Sequence, residues 1–263
     1  MESIEKKLYY HELLMVRNNL SLQKDYPLPE GYKFVFYSGE SDKIEWIKIH
    51  MQSGELNSLK EAEEIFNDFY GEFINELSKR CFFIENKSGE KVATATLSPS
   101  SEYGYNCVVD WLAIKKQYQK NGLARPLISR VIKLAKELNY NSLLLHTQTH
   151  TWLAAKLYLD FDFIPFNTDK KQGWEILKTL INHPKLAEFN CASESELYDP
   201  LIINVVSSLD KLFKEYSYSV YYKDGRKDVF VLSGSYEYYF TYENNGKTLN
   251  LVNKNKLPTE FTN

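Results

Sequence analysis

The stretch that decides the fold reads NCVVDWLAIKKQYQKNGLARPLISRVIKLAKELN, residues 106–139. Its first part, 107–114, is apolar except for Asp110, the pattern of a strand in the middle of a sheet. Leu123, Leu127, Val131, Leu134, Ala135 and Leu138 then recur at three- and four-residue spacing. They predict an amphipathic helix with one buried face. Between the two lies Gln119-Lys120-Asn121-Gly122-Leu123-Ala124. A strand, a tight glycine-containing turn and a helix start make an anion site, because the first amides of a helix have no intrahelical acceptor and point outward. The turn is not a dinucleotide fingerprint, lacking G-x-G-x-x-G. It is not a Walker loop, lacking Gly-Lys-Ser/Thr. Glycines also precede helices in βα units that bind nothing, so the geometry alone leaves the ligand open.

Working outward, residues 142–147 (SLLLHT) form another buried strand. Strand, crossover helix and strand argue for parallel pairing. Upstream, 80–84 and 91–97 are strands of a hairpin whose loop contains Gly89. With 107–114 they give an antiparallel meander leading into the anion loop. The aromatic run 32–37 favours a strand, after a turn marked by Pro27, Pro29 and Gly31. Residues 44–79 read as largely helical, with a first helix ending near Ser53-Gly54. A capping box at Ser58 and Glu61 then precedes an apolar face of Ala62, Ile65, Phe66, Phe69, Phe73, Ile74 and Leu77. Ile4, Leu8, Leu13, Leu14 and Val16 predict a helix over 4–20. Residues 152–161 predict a short helix with Thr151 as N-cap, and 163–166 a terminal strand. A further helix over 173–181 stops near Asn182-His183-Pro184.

The composition changes after Phe189, and 190–196 reads as a linker. This divides the chain into 1–190 and a small α+β extension, 191–263. The extension holds a helix over 201–216 and tyrosine-rich strands at 218–222, 229–232, 236–242 and 247–252. Asn245-Gly246 is a hairpin signal. The tyrosine alternation is that of half-buried sheet packing or of a binding face, and no residue of 191–263 demands a particular function.

A net charge of -3 offers no general attraction to nucleic acid. No apolar run approaches the length of a membrane span. The start of the chain, MESIEKKLYYHELL, lacks the basic-then-apolar layout of a secretion signal, and the expected location is the cytoplasm. Cys81, Cys107 and Cys191 are too far apart for a C-x-x-C pair. His11, His50, His146, His150 and His183 have no recognised ligand spacing, so no metal is expected.

The anion loop fits the pattern Q/R-x-x-G-x-G/A. A second block, Ala154-Ala155-Lys156-Leu157-Tyr158-Leu159-Asp160-Phe161-Asp162-Phe163, fits A-x-x-L-Y-x-x-x-G-F except that Asp162 stands in place of Gly. In this order and separation the two blocks resemble the GCN5-related N-acetyltransferase (GNAT) family over residues 30–168. The resemblance implies an α+β fold: a mixed, mainly antiparallel sheet with splayed central parallel strands and flanking helices. It implies acetyl-CoA as cosubstrate, its pyrophosphate wrapped by main-chain amides of the loop and its pantetheine arm in the gap between the splayed strands. The implied cofactor contacts are Ile114, Lys116, Gln119, Lys120, Asn121, Gly122, Leu123, Ala124, Arg125 and Thr151. Thr151 stands where many members carry Asn, and either meets pantetheine or caps the helix. Lys116, Lys120 and Arg125 meet the CoA phosphates or are ordinary exposed cations.

Direct acetyl transfer to an amine needs neither a metal nor an enzyme nucleophile, since proximity does much of the work. It does need the amine deprotonated and the leaving thiolate stabilised. The resemblance makes Tyr158 the general acid, the other reading being an aromatic knob of its helix. It makes Asp110 a general base, directly or through water, the other reading being a structural carboxylate bonded to a neighbouring Tyr or Ser. Strand parity places Asp110, Leu112 and Ile114 on one face. Trp46 and Tyr70 fall where the family builds its acceptor wall, or are core aromatics. The implied activity is N-acetyl transfer to an amine-bearing acceptor, a small molecule in preference to a protein. The rival is a non-catalytic acyl-CoA-binding sensory or interaction module. The extension has three open roles: partner contacts, a homodimer contact or shaping of the acceptor pocket.

Overall fold

The computed structural model describes residues 8–22, 24–166, 171–187, 200–223, 226–243 and 248–256. Ile4, the 190–196 linker with Cys191, Asp224-Gly225 and Asn245-Gly246 lie outside the described residues. The chain forms two compact units. One comprises Leu14–His146 with Leu157–Ile164, and the other comprises residues up to Leu13, Thr147–Lys156 and those from Pro165 onward.

The strands and helices, in chain order, are β1 (Glu12–Arg17), β2 (Tyr32–Phe36), α1 (Glu40–Ser53), α2 (Leu59–Tyr70), α3 (Leu77–Arg80), β3 (Cys81–Asn86), β4 (Lys91–Pro99), β5 (Cys107–Ile114), α4 (Ala124–Glu137), β6 (Leu143–Gln148), α5 (Trp152–Asp160), β7 (Ile164–Pro165), α6 (Lys171–Leu180), α7 (Pro200–Leu212), β8 (Ser217–Lys223), β9 (Arg226–Ser233), β10 (Tyr236–Glu243) and β11 (Thr248–Lys256). The larger sheet runs β2-β3-β4-β5-β6-β1-β7. Strands β2 to β5 are successively antiparallel, and β5 with β6 is parallel. The fold is therefore mixed α+β with a mainly antiparallel sheet and flanking helices, as the sequence pattern implies.

The helix expected over 4–20 is a correction: 12–17 is strand β1. Five consecutive residues of β1, Leu13 to Arg17, are buried. A surface helix buries a stripe and exposes the rest, whereas a strand covered on both faces buries every residue. Arg17 ends β1 at 3% exposure. Its guanidinium donates to Phe161 O and, at 2.7 Å, to Ser21 O, and lies 3.4 Å from Asp162. Asp162 has φ 61°, the left-handed backbone that its replacement of Gly requires and that Asp tolerates. Arg17→Met strands both carbonyls, and a loss of about 2 kcal/mol is expected in thermal unfolding.

Helices α1 and α2 cover one sheet face. Their core holds Trp46, Ile49, Phe66, Tyr70 and Leu77 with Cys81, Phe83 and Ala113 of the strands. Ser58 caps α2 by accepting the Glu61 amide, and the Glu61 carboxylate accepts from Asn57 N rather than from the Ser58 amide. Helix α4 ends at Asn139, φ 63°, with Tyr140 N donating back to Ala135 O at 2.9 Å.

In the other unit Leu8 and Ile176 form a small cluster with Tyr9, Trp152 and Leu180. A four-stranded antiparallel sheet, β11-β10-β9-β8, packs under α7. Val205 and Leu209 of the helix meet Val229, Val231, Phe240 and Tyr242, with Tyr218 and Tyr238 partly buried beside them. These three tyrosines are sheet packing.

Candidate active site

Strand β5 carries an irregularity at the centre of the larger sheet. Thr96 of β4 pairs with Asp110, and Thr94 pairs with Ala113. Two steps along β4 thus span three along β5, a β-bulge at Trp111-Leu112, with Trp111 at φ 49°. The bulge corrects the parity reading. Asp110 now shares its face with Ala113, and Ile114 points to the opposite one. The parallel pairing of β5 with β6 is confined to Val108–Leu144 and Val109–Leu145. From Asp110 onward, β5 has no β6 partner, and its edge groups are left open on that side. A strand that opens at its C-terminal half, next to a loop and a helix N-terminus, is where a ligand can add main-chain hydrogen bonds.

The loop follows directly. Gln119 Nε2 donates to Ile114 O at 3.1 Å, tying the loop to the end of β5. Lys120 and Gly122 take φ 63° and 76°. The first bond of α4 runs from Leu127 N to Leu123 O at 3.0 Å. The amides of Gly122, Leu123, Ala124 and Arg125 therefore precede the helical ladder, and 119–122 are exposed. This fits a polyanion held by main-chain donors. Arg125 is already paired with Asp160 at 3.0 Å. Lys116 is exposed, and its Nζ reaches towards Gly54 at the end of α1. Its neighbour Lys115 is buried against Glu90 at 2.9 Å.

Tyr158 is 8% exposed and sits edge-on to Phe163 at 5.9 Å. Burial, with the Glu55 carboxylate nearby, pushes its phenol well above the ordinary range. It therefore stays protonated at neutral pH, the state an acid must start in. Asp110 is half-buried, and its desolvation raises its carboxyl. Ser98 and the His146 ring oppose that rise, and Glu102 adds to it. His146 Nε2 lies 3.1 Å from Glu102 Oε2, both partly exposed.

Trp46 and Tyr70 are fully buried, 5.7 Å apart edge to face. Burial raises the Tyr70 phenol far above its ordinary range, and Asp110 contributes to the rise. Trp46 and Thr96 face the Tyr70 hydroxyl and Ser98 faces Asp110, whereas His50 Nε2 is buried without a hydrogen-bond partner. Thr151, in the other unit, accepts from Gln148 N at 3.3 Å and donates to Gln148 O at 3.1 Å. Its hydroxyl closes a box over the turn 149–151, one turn ahead of the N-cap role expected for α5.

The His50–Glu55 pair escaped the sequence reading. His50 Nδ1 lies 2.6 Å from Glu55 Oε2. A signal existed in His50-x-x-x-Gly54-Glu55: a glycine at φ 88° caps α1 and turns the chain back on its last residues. Among the described residues no group of His, Cys, Asp and Glu is arranged to hold a metal. Burial pushes the thiols of Cys81 and Cys107 up to about 11 and about 12, so neither is a thiolate nucleophile at neutral pH.

Residues 44–163 match the model of the acetyltransferase (GNAT) family. Similar solved structures include a GCN5-related N-acetyltransferase from Sphaerobacter thermophilus, 13% identical, with a TM-score of 0.43 over 54% of this chain and 43% of that one. A GNAT acetyltransferase from Colwellia psychrerythraea is 14% identical, with a TM-score of 0.45 over 59% and 53%. One from Staphylococcus aureus Mu50 is 19% identical, with a TM-score of 0.38 over 49% and 81%. The chain spans about half the length of the first two. No curated protein matches it. Among the described residues no helix is long and apolar enough to cross a membrane.

Proposed function

We propose that the protein transfers an acetyl group from acetyl-CoA directly to an amine acceptor. The observation that carries this reading is the departure of β5 from β6 after two residue pairs, immediately before a loop of outward amides. Acetyl-CoA supplies an activated thioester carbonyl. The amides of Gly122 to Arg125 hold its pyrophosphate, with Gln119, Lys120, Asn121 and Lys116 around them, and the open edge of β5 near Ile114 holds its pantetheine. Arg125 reaches the phosphates only by leaving Asp160. Asp110 takes the proton of the attacking amine and passes it towards His146 and Glu102. Tyr158 gives its proton to the departing sulfur. Trp46 and Tyr70 form the floor of the acceptor side. The acceptor is a small molecule in preference to a protein, the chain works in the cytoplasm, and 191–263 is a separate extension joined near residue 190. The buried, protonated Tyr158 and the half-buried carboxylate of Asp110 favour an enzyme over a binding module.

The test is calorimetric titration with acetyl-CoA, then thiol release across a panel of amines. Gly122→Glu places a side chain at φ 76°, a carboxylate beside the pyrophosphate and bulk over its amides. A loss of at least about tenfold in acetyl-CoA affinity is expected from one such repulsive contact. Unchanged affinity in a folded variant removes the loop from the cofactor site.

A further inference from the structure

Glu55 follows the glycine that caps α1. Its amide and that of Leu56 both donate to His50 O, at 3.2 and 3.3 Å, and Ser53 Oγ donates to the same carbonyl at 2.8 Å. The turn is thereby fixed at its backbone. The carboxylate is held from behind by His50, whose side chain is fully buried, while that of Glu55 is 44% exposed. Among the described residues no lysine or arginine forms an ion pair with Glu55, although Lys116 Nζ approaches the adjoining Gly54. His50, which holds Glu55, packs on Trp111 of the β5 bulge, the residue next to Asp110, and this brings Glu55 to the side of the proposed site.

Aromatic rings complete the surroundings. His50 packs on Trp46 at 4.1 Å and on Trp111 at 5.2 Å, and Trp111 packs on Phe69 at 5.3 Å. Phe69 is exposed and Trp111 is half-buried on its strained bulge. His50 Nε2 has no partner, an expense that a ring serving packing alone would avoid. A half-exposed carboxylate held by a buried histidine and without a lysine or arginine partner suits an alkylammonium, to which it gives charge-assisted hydrogen bonds.

We infer that Glu55, positioned by His50, binds the protonated primary amine of the acceptor, so that the protein selects alkylammonium acceptors over uncharged amines. This rests on the acyl-transfer reading above and adds to it the residue that receives the acceptor. Glu55 touches the substrate and His50 acts through it. Asp110, deeper in the sheet, keeps the deprotonation step.

The test separates binding from turnover. Benzylamine and spermidine, cations at neutral pH, and aniline, uncharged there, are titrated calorimetrically into CoA-loaded protein. Glu55→Gln is expected to weaken benzylamine and spermidine about tenfold, the size of one charge-assisted hydrogen bond, and to leave aniline and acetyl-CoA unchanged. Glu55→Asp should recover part of the loss, and His50→Gln should fall between Glu55→Gln and wild type. In steady state the benzylamine KM should rise by the same factor. Equal heats for the two cations in wild type and Glu55→Gln, or no heat in either, overturn the inference. So does an equal loss of acetyl-CoA affinity, which would move Glu55 to the cofactor side. Failure of the transfer reading is a different result: no thiol released with any amine, while the binding arm still reports on Glu55. Because Glu55 is exposed, its Gln variant keeps the test decisive even where His50→Gln does not fold.

Discussion

Asp110→Asn is expected to lower kcat/KM by about 10²–10⁴, the range of a general base, and to flatten the limb of the pH–rate profile that rises with pH. Desolvation raises the Asp110 carboxyl from its ordinary value, so in the wild type this limb lies above where an exposed Asp would put it. An acceptor of low basicity should partly rescue the variant, since it needs less help to lose its proton. Stability should move the other way. A raised folded pKa means that the native state binds more protons than the unfolded chain, from the unfolded Asp pKa up to the raised one. The wild type therefore loses stability as pH rises through that window. Above the window it carries the full cost of an ionised, desolvated carboxylate, and Asn carries none. The variant should melt above wild type at pH 7, with the gap closing as pH falls to the range of an exposed Asp. A variant with unchanged pH profile and lower melting temperature would make Asp110 a structural carboxylate.

Tyr158→Phe is expected to reduce kcat by about 10²-fold with acetyl-CoA affinity unchanged. The hydroxyl matters most as negative charge develops on sulfur, so its loss falls on the transition state and not on the ground state. Burial and the nearby Glu55 carboxylate keep the phenol protonated through neutral pH, so wild type should show no loss of this acid there. The ring keeps its edge contact with Phe163, so the folded state should be little disturbed. An acceptor that rescues Asp110→Asn should not rescue this variant, whose missing proton goes to the thiol. Full activity with chemistry rate-limiting would remove Tyr158 from the mechanism.

The local elements around the site were legible in the chain. The apolar run 107–114 is strand β5 with the same ends, and the three- and four-residue spacing from Leu123 is α4. Glycine at 122 does take a left-handed backbone, and so does Asp162 in the place of glycine. These are decided by side-chain period and backbone sterics, which act over a few residues. The N-terminal segment failed on the same logic: Leu13-Leu14-Met15-Val16 is short enough to suit a helix face or a doubly covered strand, and only its neighbours in the sheet choose. The bulge at Trp111 was illegible because it exists only relative to β4, and it overturned the parity that joined Asp110 to Ile114. The two-pair limit on the β5–β6 ladder is likewise a property of two strands separated by a crossover helix. His50 and Glu55 meet because the glycine cap of α1 turns the chain back on its last residues. Sequence by itself determined strand β5, the turn at Gly122 and helix α4. Tertiary structure alone decided which buried polar groups face one another, because burial and charge fall off with distance in space and not with distance along the chain.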